Sequence, residues 1–112
     1  MKAVTKITIL DDSGEKFFGE GPAQLLRAIE VTGSLRAASE FMNMAYTKAL
    51  KIMKRAEKVL GFALIIRTTG GKDGGGSILT AEGKEWLLRY EAYRDACIQA
   101  NRKLYLEFFS EQ

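Results

Sequence analysis

Four basic residues recur at helical spacing in the middle of the chain, in the segment YTKALKIMKRAEKVLG. They are Lys48, Lys51, Arg55 and Lys58. Steps of three, four and three residues place their side chains along one face of a helix, where like charges repel by a few tenths of a kcal/mol per pair. The phosphates of a nucleic acid would instead give each cation a partner. The pattern indicates a helix that binds a polyanion, and a helix face that is merely solvated stays the alternative.

A second cationic segment, RTTGGKDGGGSILTAEG, holds six glycines in seventeen residues. Glycines leave the backbone uncovered, so a loop between two strands can approach a phosphate closely or enter a minor groove. Arg67 and Lys72 supply the positive charge. A nucleotide-binding P-loop would require serine or threonine after the lysine and a helix directly behind it, whereas Asp73 follows here. A DNA-binding hairpin tip is therefore favoured, and a merely disordered hairpin loop is the remaining alternative.

The charge distribution points the same way, and the composition excludes several kinds of site. The net charge is +3, yet residues 34–72 hold eight basic and two acidic residues, which leaves −3 for the rest. There is no histidine, and Cys97 is the only cysteine, so the commonest general base, the commonest zinc ligand and an internal disulfide are all missing. We expect no enzyme, no metal site and no cofactor. Without a long apolar run or a signal peptide, we also expect a cytoplasmic protein with no membrane partner.

Periodicity and turn residues predict the element order β-β-α-α-α-β-β-α in a single domain, residues 1–112. Pro22 suits the first turn of a helix that Gly33 ends, Ser34 and Thr80 are good N-caps, and Gly61 closes the basic helix. The predicted parts are a hairpin over 1–20, a helix-turn-helix core over 22–61, a wing over 62–80 and a long helix over 81–109. Two strands that follow a helix-turn-helix are typical of an α+β winged helix, which binds DNA.

The last helix is predicted to be about 43 Å long, at 1.5 Å per residue. Apolar and aromatic residues form a heptad-like seam along it. They are Trp86, Tyr90, Tyr93, Cys97, Ala100, Leu104 and Phe108. Part of this seam is expected to pack on the chain's own core, and the distal part on a second copy. A two-fold dimer would present two basic helices to successive major grooves, about 34 Å apart.

The glycine-rich segment, with TGSLRAAS and AYTKAL upstream, resembles the N-terminal domain of bacterial molybdate-responsive regulators (ModE-like), which is in turn similar to the LysR-type winged helix. The resemblance covers nearly the whole chain and implies a dimeric DNA-binding regulator with a long dimerisation helix. Two features depart from the family. Ala45 stands where such families often carry a capping serine, and the chain ends at Gln112, where full-length members continue into a molybdate-binding domain. We therefore expect the DNA-binding part alone.

The resulting interpretation is a transcriptional regulator whose partners are double-stranded DNA and a second copy of the chain. Three groups of side chains are assigned to DNA. The major-groove group is Thr47, Lys48, Lys51 and Arg55, with Lys58 on the same face; the phosphate group is Ser34, Arg36 and Tyr46; the wing group is Arg67 and Lys72. A winged helix that binds another protein, or a sensor of molybdate or tungstate, stays open as an alternative. The sequence points to no particular small-molecule effector.

Overall fold

In a computed structural model, which describes residues 1–68 and 75–110, the predicted element order and the long last helix are confirmed. The elements are β1 Ile9–Leu10, β2 Lys16–Phe18, α1 Glu20–Thr32, α2 Leu35–Phe41, α3 Tyr46–Leu60, β3 Ile65–Thr68, β4 Gly76–Leu79 and α4 Ala81–Phe109. β1 pairs with β2 and β3 with β4, both antiparallel, as two separate two-stranded sheets. The architecture is a winged helix with an added N-terminal hairpin.

Both of the N-caps predicted from the sequence, Ser34 and Thr80, are side-chain caps in the structure. The Ser34 hydroxyl accepts a hydrogen bond from the Ala37 N–H (2.9 Å) and starts α2, and the Thr80 hydroxyl accepts one from the Gly83 N–H (2.8 Å) and starts α4. Ala45 precedes α3 without a side-chain cap. The start of α3 therefore depends on tertiary contacts more than the starts of its neighbours do.

The helix ends follow the expected backbone chemistry. Gly33 and Gly61 adopt the left-handed conformation, with φ of 82° and 81°, and end α1 and α3. Asn43, just beyond α2, also has a positive φ of 57°. α1 begins at Glu20, two residues before the predicted Pro22, because proline is tolerated within the first turn of a helix.

The buried residues form one apolar cluster to which helices α1 to α4 and strands β2 and β4 contribute. The predicted stripe of α1 is buried throughout, at Leu25, Leu26, Ala28 and Ile29. On α3, Ala49, Met53 and Ala56 are buried, whereas the predicted Leu50 and Leu60 are only half-buried. Burial of one face of α3 leaves the opposite face, which carries the lysines, on the surface.

The wing is fixed to the helix-turn-helix at its base. The Ser77 N–H donates a hydrogen bond to the Gly33 carbonyl (2.8 Å), which joins β4 to the α1–α2 turn. A Cβ atom on Gly76 would lie 2.3 Å from that same carbonyl oxygen, so only glycine allows this approach. The wing therefore cannot move as a whole without breaking its contact with the first turn of the helix-turn-helix.

Strand β3 begins at Ile65, three residues later than the start of the predicted FALIIRT strand. The residues before it form hydrogen bonds outside the β3–β4 ladder. The Glu57 carboxylate accepts a hydrogen bond from the Leu64 N–H (2.7 Å) and holds the turn after α3. The Leu64 carbonyl accepts one from the Thr80 N–H (2.9 Å), just before α4. Leu64 therefore joins the wing to the beginning of the last helix rather than to the ladder.

Helix α4 belongs to the core only over its first half. Trp86 and Tyr90 pack against Phe18 at ring-centroid distances of 5.5 and 5.0 Å. The Tyr90 hydroxyl donates to the Ile7 carbonyl (2.7 Å), and burial raises the pKa of the phenol. Since Tyr90 is only 2% exposed, it has no surface left for a second copy, and its assignment to the dimer seam is corrected to the core.

The distal half of α4 projects beyond the core. The molecule measures 62 × 29 × 24 Å, and its radius of gyration is 16.8 Å, against roughly 13 Å for a compact chain of similar length. Arg27 anchors the proximal half to α1 through a two-pronged ion pair with Glu91. Within residues 1–68 and 75–110, no helix combines the length and the apolarity that crossing a lipid bilayer requires.

The N-terminal hairpin is held by a carboxylate in its turn. Asp11 accepts hydrogen bonds from the Glu15 N–H (2.9 Å), the Ser13 hydroxyl (2.7 Å) and the Ser13 N–H (2.9 Å), and it forms an ion pair with Arg55. The Glu15 N–H first, then Ser13 and Arg55, hold the pKa of Asp11 at about 2, below the ordinary 3.8, although partial burial opposes them. The hairpin is thereby tied to the middle of α3.

We expect Gly83→Ala to lower the free energy of unfolding by about 1–3 kcal/mol, the usual cost of overpacking. A Cβ atom on Gly83 would lie 2.3 Å from the Leu64 carbonyl oxygen. The matched control is Gly21→Ala in α1, where nothing lies within 4 Å, and it should gain up to about 1 kcal/mol in helix propensity. Urea denaturation measures both, and equal stability of the two variants would contradict the close approach.

We expect the thermal midpoint to fall as the pH drops from about 4 to about 2, because protonation of Asp11 removes the hydrogen bonds that its carboxylate accepts. The lowered pKa means that this stabilisation is complete above the ordinary value of 3.8. Asp11→Asn should melt earlier at neutral pH and lose less between pH 4 and 2. Asp12→Asn is the control, since no hydrogen bond of its side chain is found among the described residues. Parallel acid profiles for Asp11→Asn and the original chain would contradict this account.

Candidate nucleic-acid interface

The exposed face of α3 carries the predicted cations. Thr47, Lys48, Lys51 and Lys58 are all exposed, opposite the buried alanines and Met53. No lysine of α3 forms an ion pair with any residue in the described ranges. Within residues 1–68 and 75–110, these charges are therefore left for a partner such as a polyanion.

Arg55 differs from the lysines beside it. Its guanidinium forms ion pairs with Asp11 and with Glu15 (3.1 Å), and its side chain is 37% exposed. The acidic hairpin turn thus neutralises the basic face near the middle of α3. This pairing leaves the lysines of α3, rather than Arg55, as the cations of the helix without an ion pair to a described residue.

Three side chains from three elements meet at the N-terminal end of α3. The Arg67 guanidinium of β3 donates a hydrogen bond to the Tyr46 hydroxyl (2.7 Å), and the Arg36 guanidinium of α2 lies 4.2 Å from the centre of the Tyr46 ring. In the part of the chain that the structure describes, neither arginine forms an ion pair. We call Arg36, Tyr46 and Arg67 the arginine–tyrosine cluster. It brings predicted phosphate contacts together with a predicted wing contact.

The cluster borders a cavity of about 390 Å³ between α2, the start of α3 and the base of the wing. The predicted Ser34 also lines it, with its hydroxyl engaged in capping α2. Sequence reasoning missed three further lining residues with polar side chains, Glu40, Thr68 and Ser77. The only available signal for Ser77 was its position opposite Arg67 in the β3–β4 ladder, which places both side chains on one face.

Some predicted site residues lie elsewhere or outside the described residues. Lys72 belongs to residues 69–74, which the structure does not describe, so its contact with DNA stays a prediction. Within residues 1–68 and 75–110, no group of three or more Asp, Glu or Cys side chains could hold a metal ion.

The remaining members of the predicted dimer seam become more exposed toward the end of α4. Trp86 is half-buried against Phe18, and Cys97 is half-buried further along. Ala100 is exposed, and exposure reaches 56% at Tyr93, 51% at Leu104 and 75% at Phe108. Leu106 and Phe109 are exposed as well. The distal half of α4 thus carries several apolar side chains that the described residues leave exposed.

Comparison with known proteins agrees with this geometry. The model of the bacterial regulatory helix-turn-helix proteins of the lysR family matches residues 23–84, which include α1, α2, α3 and the wing strands. The chain is 32% identical over 84 residues to the molybdenum-pterin-binding protein MopB of Rhodobacter capsulatus, covering 75% of this chain and 31% of that protein.

Two further relatives resemble the same region. The transcriptional regulator ModE of Haemophilus influenzae is 32% identical over 68 residues, 61% of this chain and 27% of that protein. The molybdenum transport protein ModE of Herbaspirillum seropedicae is 40% identical over 63 residues, 56% of this chain and 23% of that protein. The chain thus spans less than a third of the length of these relatives.

The matched region carries the parts that the geometry singles out: the exposed lysines of α3, the arginine–tyrosine cluster and the base of the wing. The matching family consists of regulators, not enzymes. The chain belongs to the lysR family of bacterial regulatory helix-turn-helix proteins, as a ModE-like DNA-binding domain.

Proposed function

We propose that the chain regulates transcription as a dimer, with α3 in the major groove of duplex DNA and the wing on the adjacent backbone or minor groove. The hydrogen bond from Arg67 to Tyr46 carries this proposal, because it brings the cationic base of the wing to the N-terminal end of the basic helix. Family membership supports DNA as the partner. A DNA partner would place the chain in the bacterial cytoplasm.

The proposed contacts divide by position along α3. Thr47, Lys48 and Lys51 lie in its first two turns and are the side chains assigned to the major groove. Arg55 contributes less than the sequence indicated, since Asp11 and Glu15 already compensate its charge. Lys58, in the last turn, would flank the groove rather than enter it.

Dimerisation is assigned to the distal half of α4. Exposed Tyr93, Leu104 and Phe108 have no partner within the described chain, and apolar surface of this kind is typical of protein interfaces. A two-fold axis through this helix would present two copies of α3 to one face of the duplex. The half-site spacing of about 34 Å would follow from that symmetry.

Binding of a small oxyanion, such as molybdate, is the second candidate function. The cavity beside the arginine–tyrosine cluster favours it, because two guanidinium groups border the same half-open cavity. The names of the relatives also refer to molybdenum. DNA is preferred because the exposed lysines of α3 lie outside the residues that line the cavity, and a small ion would leave them unused.

We expect the double variant Lys48→Ala and Lys51→Ala to bind duplex DNA at least tenfold more weakly. Each lost phosphate contact should reduce the magnitude of the slope of log K against log salt by about 0.9. Fluorescence anisotropy at several salt concentrations measures both quantities. The control, Lys84→Ala and Lys103→Ala, also removes two exposed lysines but takes them from α4. Equal loss in the two double variants would mean that net charge, not α3, governs binding.

We expect Leu104→Asp with Phe108→Asp to convert a dimer into a monomer, because two carboxylates would be desolvated at the interface. Analytical ultracentrifugation measures the mass, and circular dichroism checks that the helix persists. Lys103→Ala on the same helix is the control and should leave the mass unchanged. A chain that is monomeric at every concentration before mutation would contradict the dimer proposal.

A further inference from the structure

We propose that the cavity at the wing base holds one phosphate of the DNA backbone, and that Ser77 and Thr68 complete its ligands. This inference rests on the proposed function and deepens it, since it assigns one structural element of DNA to one cavity. A phosphodiester group of DNA and a free inorganic phosphate are both tetrahedral oxyanions, so the cavity could bind either. The source we assign is a phosphodiester group of the duplex, and a free inorganic ion is the alternative that the experiment separates.

Two guanidinium groups supply the charge that such a group requires. Arg67 is held by its hydrogen bond to the Tyr46 hydroxyl, and Arg36 is held over the face of the same ring. Tyr46 thus positions both cations through a hydroxyl group and an aromatic ring, and not through a carboxylate that would form an ion pair with them. Planar guanidinium groups with several N–H donors are well suited to phosphate oxygens.

Two hydroxyl groups add donors on the wing side of the cavity. Ser77 is only 6% exposed, lines the cavity, and makes no side-chain hydrogen bond to a residue in the described ranges. A serine hydroxyl carries one hydrogen that it can donate to an oxyanion in the cavity. The Thr68 hydroxyl accepts a bond from the Gly76 N–H (2.9 Å) and keeps its own hydrogen to donate.

The cavity is formed before any ligand arrives. The hydrogen bond from the Ser77 N–H to the Gly33 carbonyl fixes the base of the wing. Gly76 lies so close to the same carbonyl that the two strands of the wing cannot move nearer to the helix-turn-helix. Arg67 and Ser77 are directly opposite each other in the β3–β4 ladder, so their side chains lie at the same position along the strands. A preformed site loses little conformational entropy on binding, which favours affinity.

Glu40 also lines the cavity, and its carboxylate forms no ion pair with any described residue. This negative charge opposes an anion and limits affinity. Its removal therefore provides a variant expected to change binding in the opposite direction from the loss of an arginine. We expect Glu40→Gln to strengthen DNA binding about threefold, since like charges across an interface are unfavourable.

The test uses the full chain and a duplex of about 30 base pairs, enriched by in vitro selection and long enough for two half-sites one helical turn apart. Single phosphates are replaced in turn by neutral methylphosphonates. One replacement near the wing should weaken the original chain roughly tenfold or more, the usual worth of a hydrogen-bonded charge. The variant Arg36→Ala with Arg67→Ala should be indifferent to that replacement, within about twofold.

Matched variants locate the effect and guard against misfolding. Ser77→Ala removes one hydroxyl and should weaken binding of the unmodified duplex about threefold, with a smaller penalty at the same methylphosphonate. Lys51→Ala is the control: it should bind more weakly overall but keep the full penalty there, because it acts through α3. Circular dichroism and the thermal midpoint confirm that each variant is folded.

The outcomes separate this inference from the proposed function. If DNA is bound but every methylphosphonate penalty survives in the double arginine variant, the phosphate assignment is overturned and the regulator proposal stands. If no duplex is enriched at low salt, the regulator proposal fails. Titration with inorganic phosphate by calorimetry then decides the chemistry: saturable binding that the double arginine variant loses would assign the cavity to a free ion and overturn the DNA assignment.

Discussion

The contact between the Gly33 carbonyl and the base of the wing is the constraint on which the functional surface depends. Gly33 ends α1 in the left-handed conformation, and its carbonyl accepts a hydrogen bond from the Ser77 N–H and lies too close to Gly76 for a Cβ atom there. Because of it, the wing is attached to the helix-turn-helix at the point where α2 begins. Arg67 can then reach Tyr46, and residues distant in sequence share one cavity. A wing attached elsewhere would leave these cations apart.

The fold uses some of its cations and leaves others uncompensated. Arg27 pairs with Glu91, Arg55 with Asp11, and Arg94 with Glu20 (3.1 Å), each joining separate elements. Such pairs at a partly exposed surface contribute modestly to stability, but they settle which charges remain for a partner. Those that remain among the described residues include the lysines of α3 and the arginines of the arginine–tyrosine cluster. The basic surface is therefore defined by ion-pair geometry as much as by composition.

Helix α4 performs two tasks along its length for a physical reason. A helix of 29 residues is longer than the diameter of a folded core of this size. One half of α4 is therefore packed on the core and the other half projects from it. The buried half is locked by aromatic contacts with the hairpin and by the bond from Tyr90 to Ile7. The projecting half keeps apolar side chains that the described residues leave exposed. The apolar seam of α4 is continuous in the sequence, but only its first part packs on the core of the chain.

Local chemistry determined the element order, the caps at Ser34 and Thr80, and the left-handed ends at Gly33 and Gly61, because each depends on residues only a few positions apart. The exposed lysine face of α3 could also be predicted from the sequence, because helical periodicity separates it from the buried stripe. Only tertiary structure decided the pairing of Arg55 with an acidic turn 44 positions away, the cavity at Ser77 and the burial of Tyr90. These features arise where elements distant in sequence pack together, and no periodicity within a single element encodes which partner a side chain meets there.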